Sequence, residues 1–232
     1  MHINTPLTKE RLRNHLTYSS WKYVLLVICA VFGWSLIYTM TAPQVPQDKR
    51  IDVYLLSYST ETELSDAFIQ PIGAAVVPEM ERVSSVVLFP DETYSSMQLT
   101  AYFAAGDGDI YFLPETYFKS FASGGTFLPL EDLVANGTID VGDVDLTKGY
   151  VTYVDSYDEN MRPIIGDQHL YGIPLDSFYG YIEGMNMDNR GMYAVITVNN
   201  QNDENVIPFF NALLQAGRGE MPGWMKEQLE KQ

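Results

Sequence analysis

Residues 101–130, Ala-Tyr-Phe-Ala-Ala-Gly-Asp-Gly-Asp-Ile-Tyr-Phe-Leu-Pro-Glu-Thr-Tyr-Phe-Lys-Ser-Phe-Ala-Ser-Gly-Gly-Thr-Phe-Leu-Pro-Leu, decide the fold class. The glycines at 106 and 108 close a helix, because glycine enters left-handed backbone without a steric penalty. Residues 109–113 are then too short an apolar run for a helix and read as a buried strand. Glu115 opens a second helix, and the Gly124-Gly125 pair closes it. Helix, turn, strand and helix in immediate succession belong to an open α/β sheet, where ligands meet the carboxyl ends of the strands.

The same alternation extends upstream. Residues 51–57 (Ile-Asp-Val-Tyr-Leu-Leu-Ser) suit a buried strand, and 83–89 suit the next. Thr60 and Glu63 have capping-box spacing and open a helix with Leu64, Ala67 and Phe68 on one face, which Pro71 kinks or shortens. Asp91 is placed to cap a helix whose Tyr94, Met97, Gln98, Ala101 and Ala105 recur at helical spacing. This β-α-β-α-β-α order predicts parallel strands with helical crossovers packed on the faces of the sheet. Parallel strands share one carboxyl edge, so three loops converge there: 57–60, 89–92 and 113–117. Each loop opens a helix, and backbone N–H groups and a helix dipole therefore point toward a common space. Downstream, 131–149 is acidic and rich in turns. Residues 171–175 read as a short strand entering a crossover, 192–198 as a further strand, and 202–215 as a helix carrying Val206, Phe210, Leu213 and Leu214.

The Gly-Asp-Gly-Asp-Ile turn and strand, with the helix that follows, resemble the corresponding passage of extracellular solute-binding proteins of ABC importers, especially the maltodextrin and sugar binders. The resemblance covers most of 51–135, then Tyr-Gly-Ile-Pro-Leu at 171–175, which is similar to the hinge strand of that family, then 192–216. It implies a periplasmic-binding-protein type II-like doubly wound α/β sheet, a sugar or oligosaccharide as ligand, and ABC permease subunits as possible partners; no cofactor is expected, and the residues considered below give no enzymatic activity. Matched residue by residue, it puts Glu115, Thr116 and Tyr117 in one ligand loop and Tyr58 and Ser59 in another. With Asp91 from the middle loop, these six form the expected binding face. Hydroxyls and carboxylates would exchange hydrogen bonds with the ligand while the rings cover its apolar faces. One departure is large. The family closes two lobes on its ligand, and a second lobe of ordinary size needs on the order of 100 residues. Only 16 residues separate Leu175 from Met192. The expectation is one main lobe with a reduced second lobe. The competing reading is a non-transporting accessory module that binds a membrane permease or another protein.

Residues 23–40 contain no charge and are rich in Val, Leu, Ile and aromatic side chains. At 1.5 Å per residue they span about 27 Å, enough for a bilayer core of roughly 30 Å. Lys9, Arg11, Arg13 and Lys22 precede them against Glu10, which keeps the N-terminus cytoplasmic. The run exceeds a signal-peptide core, no small-x-small site follows it, and Cys29 lies inside it after Ile28, unlike a lipoprotein cysteine. The expected order is a basic segment 1–22, an uncleaved single transmembrane helix 23–40, a Pro43/Pro46 tether 41–50 and an extracytoplasmic domain 51–232. The charge is +3 over 1–42 and −19 beyond, giving the net −16. Such a domain is repelled by nucleic acid and by anionic headgroups.

Other chemistry is poorly supported. Gly106 to Asp109 has neither a Walker lysine nor G-x-G-x-x-G spacing and reads as a turn. An EF-hand counted from Asp143 would place Lys148 and Val154 where Gly and Glu are required, so Asp140, Asp143 and Asp145 read as solvated turn acids and no metal is expected. His169 is alone outside the anchor segment, which leaves no zinc cluster or histidine triad, and G-x-S-x-G does not occur. Among the 16 tyrosines, Tyr179 and Tyr181 join Tyr58 and Tyr117 as rings that could face a sugar. Asn136-Gly137-Thr138 matches a glycosylation acceptor but reads as an Asn-Gly turn.

Overall fold

The computed structural model describes residues 9–41, 45–91, 93–157, 162–198 and 202–220, in two compact units, Met1–Gln44 and Val45–Gln232. The first unit holds α1 (Lys9–Thr41). Its stretch Ser20–Thr39 is long and apolar enough to cross a membrane. The hydroxyls of Thr17 and Thr39 donate to the carbonyls of Arg13 and Ser35 one turn back, which satisfies them within the helix.

The second unit runs β1 (Arg50–Leu56), α2 (Thr62–Val76), β2 (Arg82–Leu88), α3 (Ser95–Ala105), β3 (Ile110–Pro114), α4 (Glu115–Ala122), α5 (Glu131–Ala135), β4 (Tyr150–Tyr157), β5 (Pro163–Leu170), β6 (Ile173–Pro174), α6 (Gly180–Met185), β7 (Met192–Ile196) and α7 (Asp203–Gly217). Five strands form one sheet in the order β2-β1-β3-β7-β6. β1 is parallel to β2 and to β3, as the alternation requires, whereas β7 is antiparallel to both of its neighbours. Strand pleating sends alternate side chains to opposite faces. Val53, Leu55 and Phe112 pack on one side with Ile69 of α2 and Phe210 and Leu213 of α7. Tyr54, Leu56 and Tyr111 pack on the other with Leu99 of α3 and Phe118 of α4. Helices therefore cover both faces, and the sheet is doubly wound.

Several local readings are corrected. Thr60 does not join a capping box: its hydroxyl donates to Ser57 Oγ at 3.0 Å, and α2 starts two residues later behind Glu61 with no side-chain cap. The buried stripe of α2 is Ser65, Ile69 and Gly73, leaving Leu64 and Ala67 exposed, and Pro71 lies inside a helix that continues to Val76. On α3 the residues that recur at helical spacing, Tyr94, Met97, Gln98, Ala101 and Ala105, are exposed, while Ser95 and Leu99 are buried. The same spacing fits both faces, and the large Tyr102 and Phe103 rotate the helix toward the sheet. α3 ends in a left-handed Gly106, with Gly106 N–H donating to Phe103 and Asp107 N–H to Tyr102, a Schellman pattern. The interval 176–191 holds α6, which packs on α2 and α7 of this same unit.

The β4–β5 hairpin forms a separate two-stranded sheet that the sequence pattern did not disclose. Register shifts at 152–154 and 154–156 break its alternation. Val154 N–H donates to Ser123 O beyond the end of α4, and Leu170 N–H donates to the Glu131 carboxylate of α5. Trp224 and Met225 of the C-terminal segment lie outside the described residues.

Candidate functional site

Three loops leave the carboxyl edge of the parallel strands, and the first two are held by their own side chains. After β1, Ser57 Oγ accepts from Ser59 N–H at 3.3 Å and from the Thr60 hydroxyl, tightening the 57–60 turn and leaving Tyr58 exposed. The Tyr58 ring meets Phe89, from the loop after β2, edge to face at 4.8 Å. In that second loop Asp91 Oδ1 accepts the N–H groups of Thr93 and Tyr94 at 2.9 and 2.8 Å, while Asp91 N–H donates to Ser95 Oγ. Asp91 thus caps the turn that leads into α3, as its residue type suggests. After β3, Pro114 sits at the N-cap of α4 with φ −58°, so the helix begins at once and carries no side-chain cap. Thr116 and Tyr117 lie in its first turn, where backbone N–H groups lack intrahelical partners. Tyr117 hydroxyl donates to the Asp91 carbonyl at 3.3 Å and links the third loop to the second.

Between the loops lies an open cleft of about 490 Å³, lined by Tyr58, Pro90, Ser96, Pro114, Thr116, Tyr117 and Ser120. Its volume falls within the range of small-molecule sites. Two rings, two prolines and three hydroxyls face it, and no charged side chain is among the described residues lining it. Such a lining can cover apolar ligand faces and exchange hydrogen bonds with neutral hydroxyls.

Of the six residues expected at this edge, Tyr58, Thr116 and Tyr117 line the cleft, and Asp91 borders it through its carbonyl. Ser59 and Glu115 do not line it. The Ser59 carbonyl accepts Asn186 Nδ2 at 2.9 Å, and its Oγ accepts Asp188 N–H at 3.4 Å. The Glu115 carboxylate turns along α4 to Lys119, whose hydrogen bond and charge hold its pKa below the usual value. Pro90, Ser96, Pro114 and Ser120 were not anticipated. Ser120 stands one helical turn from Thr116, and that spacing could have revealed it. Tyr181 is excluded as a ligand ring: it is fully buried and its hydroxyl donates to Leu213 O at 2.8 Å.

The opposite end of the sheet is built for cohesion. Asp52, nearly buried, receives Arg50 Nε at 3.1 Å, Arg82 at 3.1 Å and Ser84 Oγ at 2.7 Å. Its own N–H donates to Asp109 Oδ2 at 2.8 Å, and burial pushes the Asp109 carboxyl up to about 6. Gly108, with φ +81°, lets the chain pass against the stacked rings of Tyr54 and Tyr111. The Gly-Asp-Gly-Asp segment is thus a structural turn at the amino edge. A depression of about 400 Å³ there, beside Gln70, Val77 and Arg82, has no aromatic ring among the described residues that line it. Asp140 pairs with Arg218, and Asp145 accepts from Thr147 N–H and hydroxyl. Among the described residues no cluster of three His, Cys, Asp or Glu could hold a metal ion.

No protein-family model matches the chain, and no curated protein does so. Among solved structures it is similar to an extracellular solute-binding protein family 1 member from Alicyclobacillus acidocaldarius, at 20% identity and TM-score 0.39 over 57% of this chain and 28% of that one. It is similar to the maltose/maltodextrin-binding domain MalE from Bdellovibrio bacteriovorus, bound to maltotriose, at 12% identity and TM-score 0.31 over 54% and 28%. It is also similar to the binding protein AttC from Agrobacterium tumefaciens in its open unliganded conformation, at 12% identity and TM-score 0.39 over 73% and 82%. The match spans 28% of the length of each of the first two proteins.

Proposed function

We propose that the chain is a membrane-anchored, extracytoplasmic solute-binding-like domain that takes a neutral sugar or oligosaccharide in the cleft between Tyr58 and Tyr117, in the service of an ABC-type carbohydrate importer. One observation carries this reading: the cleft at the common carboxyl edge offers two rings and three hydroxyls, with no charged side chain among the described residues that line it. Tyr58 and Tyr117 cover the apolar faces of a pyranose, while Ser96, Thr116 and Ser120 pair with its hydroxyls. The likeness of residues 101–130 to sugar-binding receptors points the same way. The apolar Ser20–Thr39 helix anchors the chain, with its basic flank on the cytoplasmic side.

A one-sided cleft buries less of its ligand than a closed clamp does. Affinity should be weak, with Kd on the order of 0.1–1 mM, or about −4 to −5.5 kcal/mol. Calorimetry of the full chain in nanodiscs of zwitterionic lipid, titrated with neutral oligosaccharides including maltotriose, tests the reading. Saturable heat for at least one of them is expected. No heat for any, with the folded circular-dichroism spectrum intact, overturns it.

A further inference from the structure

We infer that an apolar ridge beside the cleft is a docking surface for a basic, amphipathic segment of a partner protein. Among the described residues of the 45–220 unit, five large apolar side chains are more than 60% exposed: Tyr58 at 67%, Phe89 at 68%, Tyr94 at 68%, Met97 at 71% and Ile165 at 69%. Four of the five belong to the first two carboxyl-edge loops and the start of α3. Tyr58 and Phe89 already touch at 4.8 Å between ring centroids. Tyr94 and Met97 are three residues apart and share one side of the helix, away from buried Leu99. Single exposed apolar residues are ordinary, but a group gathered at one edge marks an interaction surface. The cleft does not account for it, since Phe89, Tyr94 and Met97 are outside the cleft lining.

Charge selects the occupant. Residues 43–232 carry 29 acidic and 10 basic residues. The bases near this edge are already neutralised within the domain: Lys119 by Glu115, Arg190 by Asp188 and Lys148 by Asp176. Glu61 and Glu63 remain exposed at the start of α2, and the Asp91 carboxylate accepts the backbone N–H groups of Thr93 and Tyr94. A second copy brings the same negative charge and is repelled, as is an anionic lipid surface. A segment with Lys or Arg beside apolar anchors gains on both counts, and Met and aromatic side chains are what such helix-accepting surfaces present.

The test uses the full chain in zwitterionic nanodiscs with empty nanodiscs as reference. Fluorescence anisotropy follows a synthetic amphipathic Leu/Lys peptide and its Leu/Glu counterpart. The Leu/Lys peptide should bind saturably and the Leu/Glu peptide should not. The double variant Phe89→Ser/Met97→Ser, which leaves every charge in place, should weaken Leu/Lys binding at least tenfold while retaining the wild-type circular dichroism. Equal binding by wild type and variant would reduce the effect to diffuse charge attraction and overturn the proposal, as would no binding or equal binding of both peptides. Concentration-dependent self-association that the double variant abolishes would assign the ridge to a second copy instead. None of these outcomes depends on whether the cleft takes a sugar.

Discussion

The Tyr117 hydroxyl donates to the Asp91 carbonyl at 3.3 Å, so the residue that supplies a flat ring to the cleft also ties two of its three loops together. Tyr117→Ala should remove both roles and weaken oligosaccharide binding about tenfold, the ~1.4 kcal/mol of a lost ring contact. Tyr117→Phe keeps the ring and loses one exposed hydrogen bond, so its affinity should fall about threefold at most. Calorimetry on both variants checks this. Equal losses would mean that the ring does not face the ligand.

The glycine turn before β3 makes a graded prediction. At Gly106, φ is +68° and a Cβ would meet open space, so Gly106→Ala should cost about 1–2 kcal/mol, the left-handed penalty alone. At Gly108, φ is +81° and a Cβ would stand 2.5 Å from the Tyr54 ring and 2.7 Å from the Tyr111 hydroxyl oxygen. Gly108→Ala should therefore cost about 1–3 kcal/mol more, because the stacked rings must shift. Urea unfolding of the two variants measures the difference, and equal midpoints would contradict the packing described.

Burial holds the Asp109 carboxyl at about 6 against an ordinary 3.8, with the Asp52 charge adding to the rise and Asp52 N–H and Arg50 opposing it. The folded chain thus binds this proton more tightly than the unfolded chain. Its contribution to stability is complete below the unfolded value and is lost as pH rises toward about 6, by at most ~1.4 kcal/mol per pH unit. Asp109→Asn keeps an acceptor for Asp52 N–H and removes the titration. Wild type should lose more stability than the variant between pH 4.5 and 6.5 in chemical denaturation. Parallel curves would show that Asp109 ionises normally.

Anchoring is tested by extraction. The 1–232 chain should remain with membranes in alkaline carbonate, whereas a chain beginning at Val45, where the second compact unit starts, should be found in the supernatant with native near-ultraviolet circular dichroism. Release of the full chain would show that Ser20–Thr39 does not hold it.

The parallel half of the sheet was legible because β1, β2 and β3 are short, buried, β-rich runs separated by helix-opening residues, and the three loops followed from that direction alone. Helix phase was less legible. On α3 both faces carry apolar residues at helical spacing, and tertiary packing chose Leu99, Tyr102 and Phe103 over Tyr94 and Met97. Strand direction is also silent in a fully buried run, so Met192–Ile196 gave no sign of lying antiparallel to β3. The β4–β5 hairpin escaped because its irregular register erases the alternation by which strands are recognised. Within the cleft, loop residues could be placed from sequence, but Ser96 and Ser120 enter from helix bodies, and the ion pair with Lys119 drew Glu115 away.

The most direct measurement is backbone hydrogen exchange of the full chain with and without saturating maltotriose or another oligosaccharide that gives heat. Slowed exchange confined to residues 57–60, 93–98 and 115–120 is the expected result. Protection centred on the β4–β5 hairpin or on the amino edge around Gln70–Arg82, with those three loops unchanged, would contradict a ligand site at the carboxyl edge.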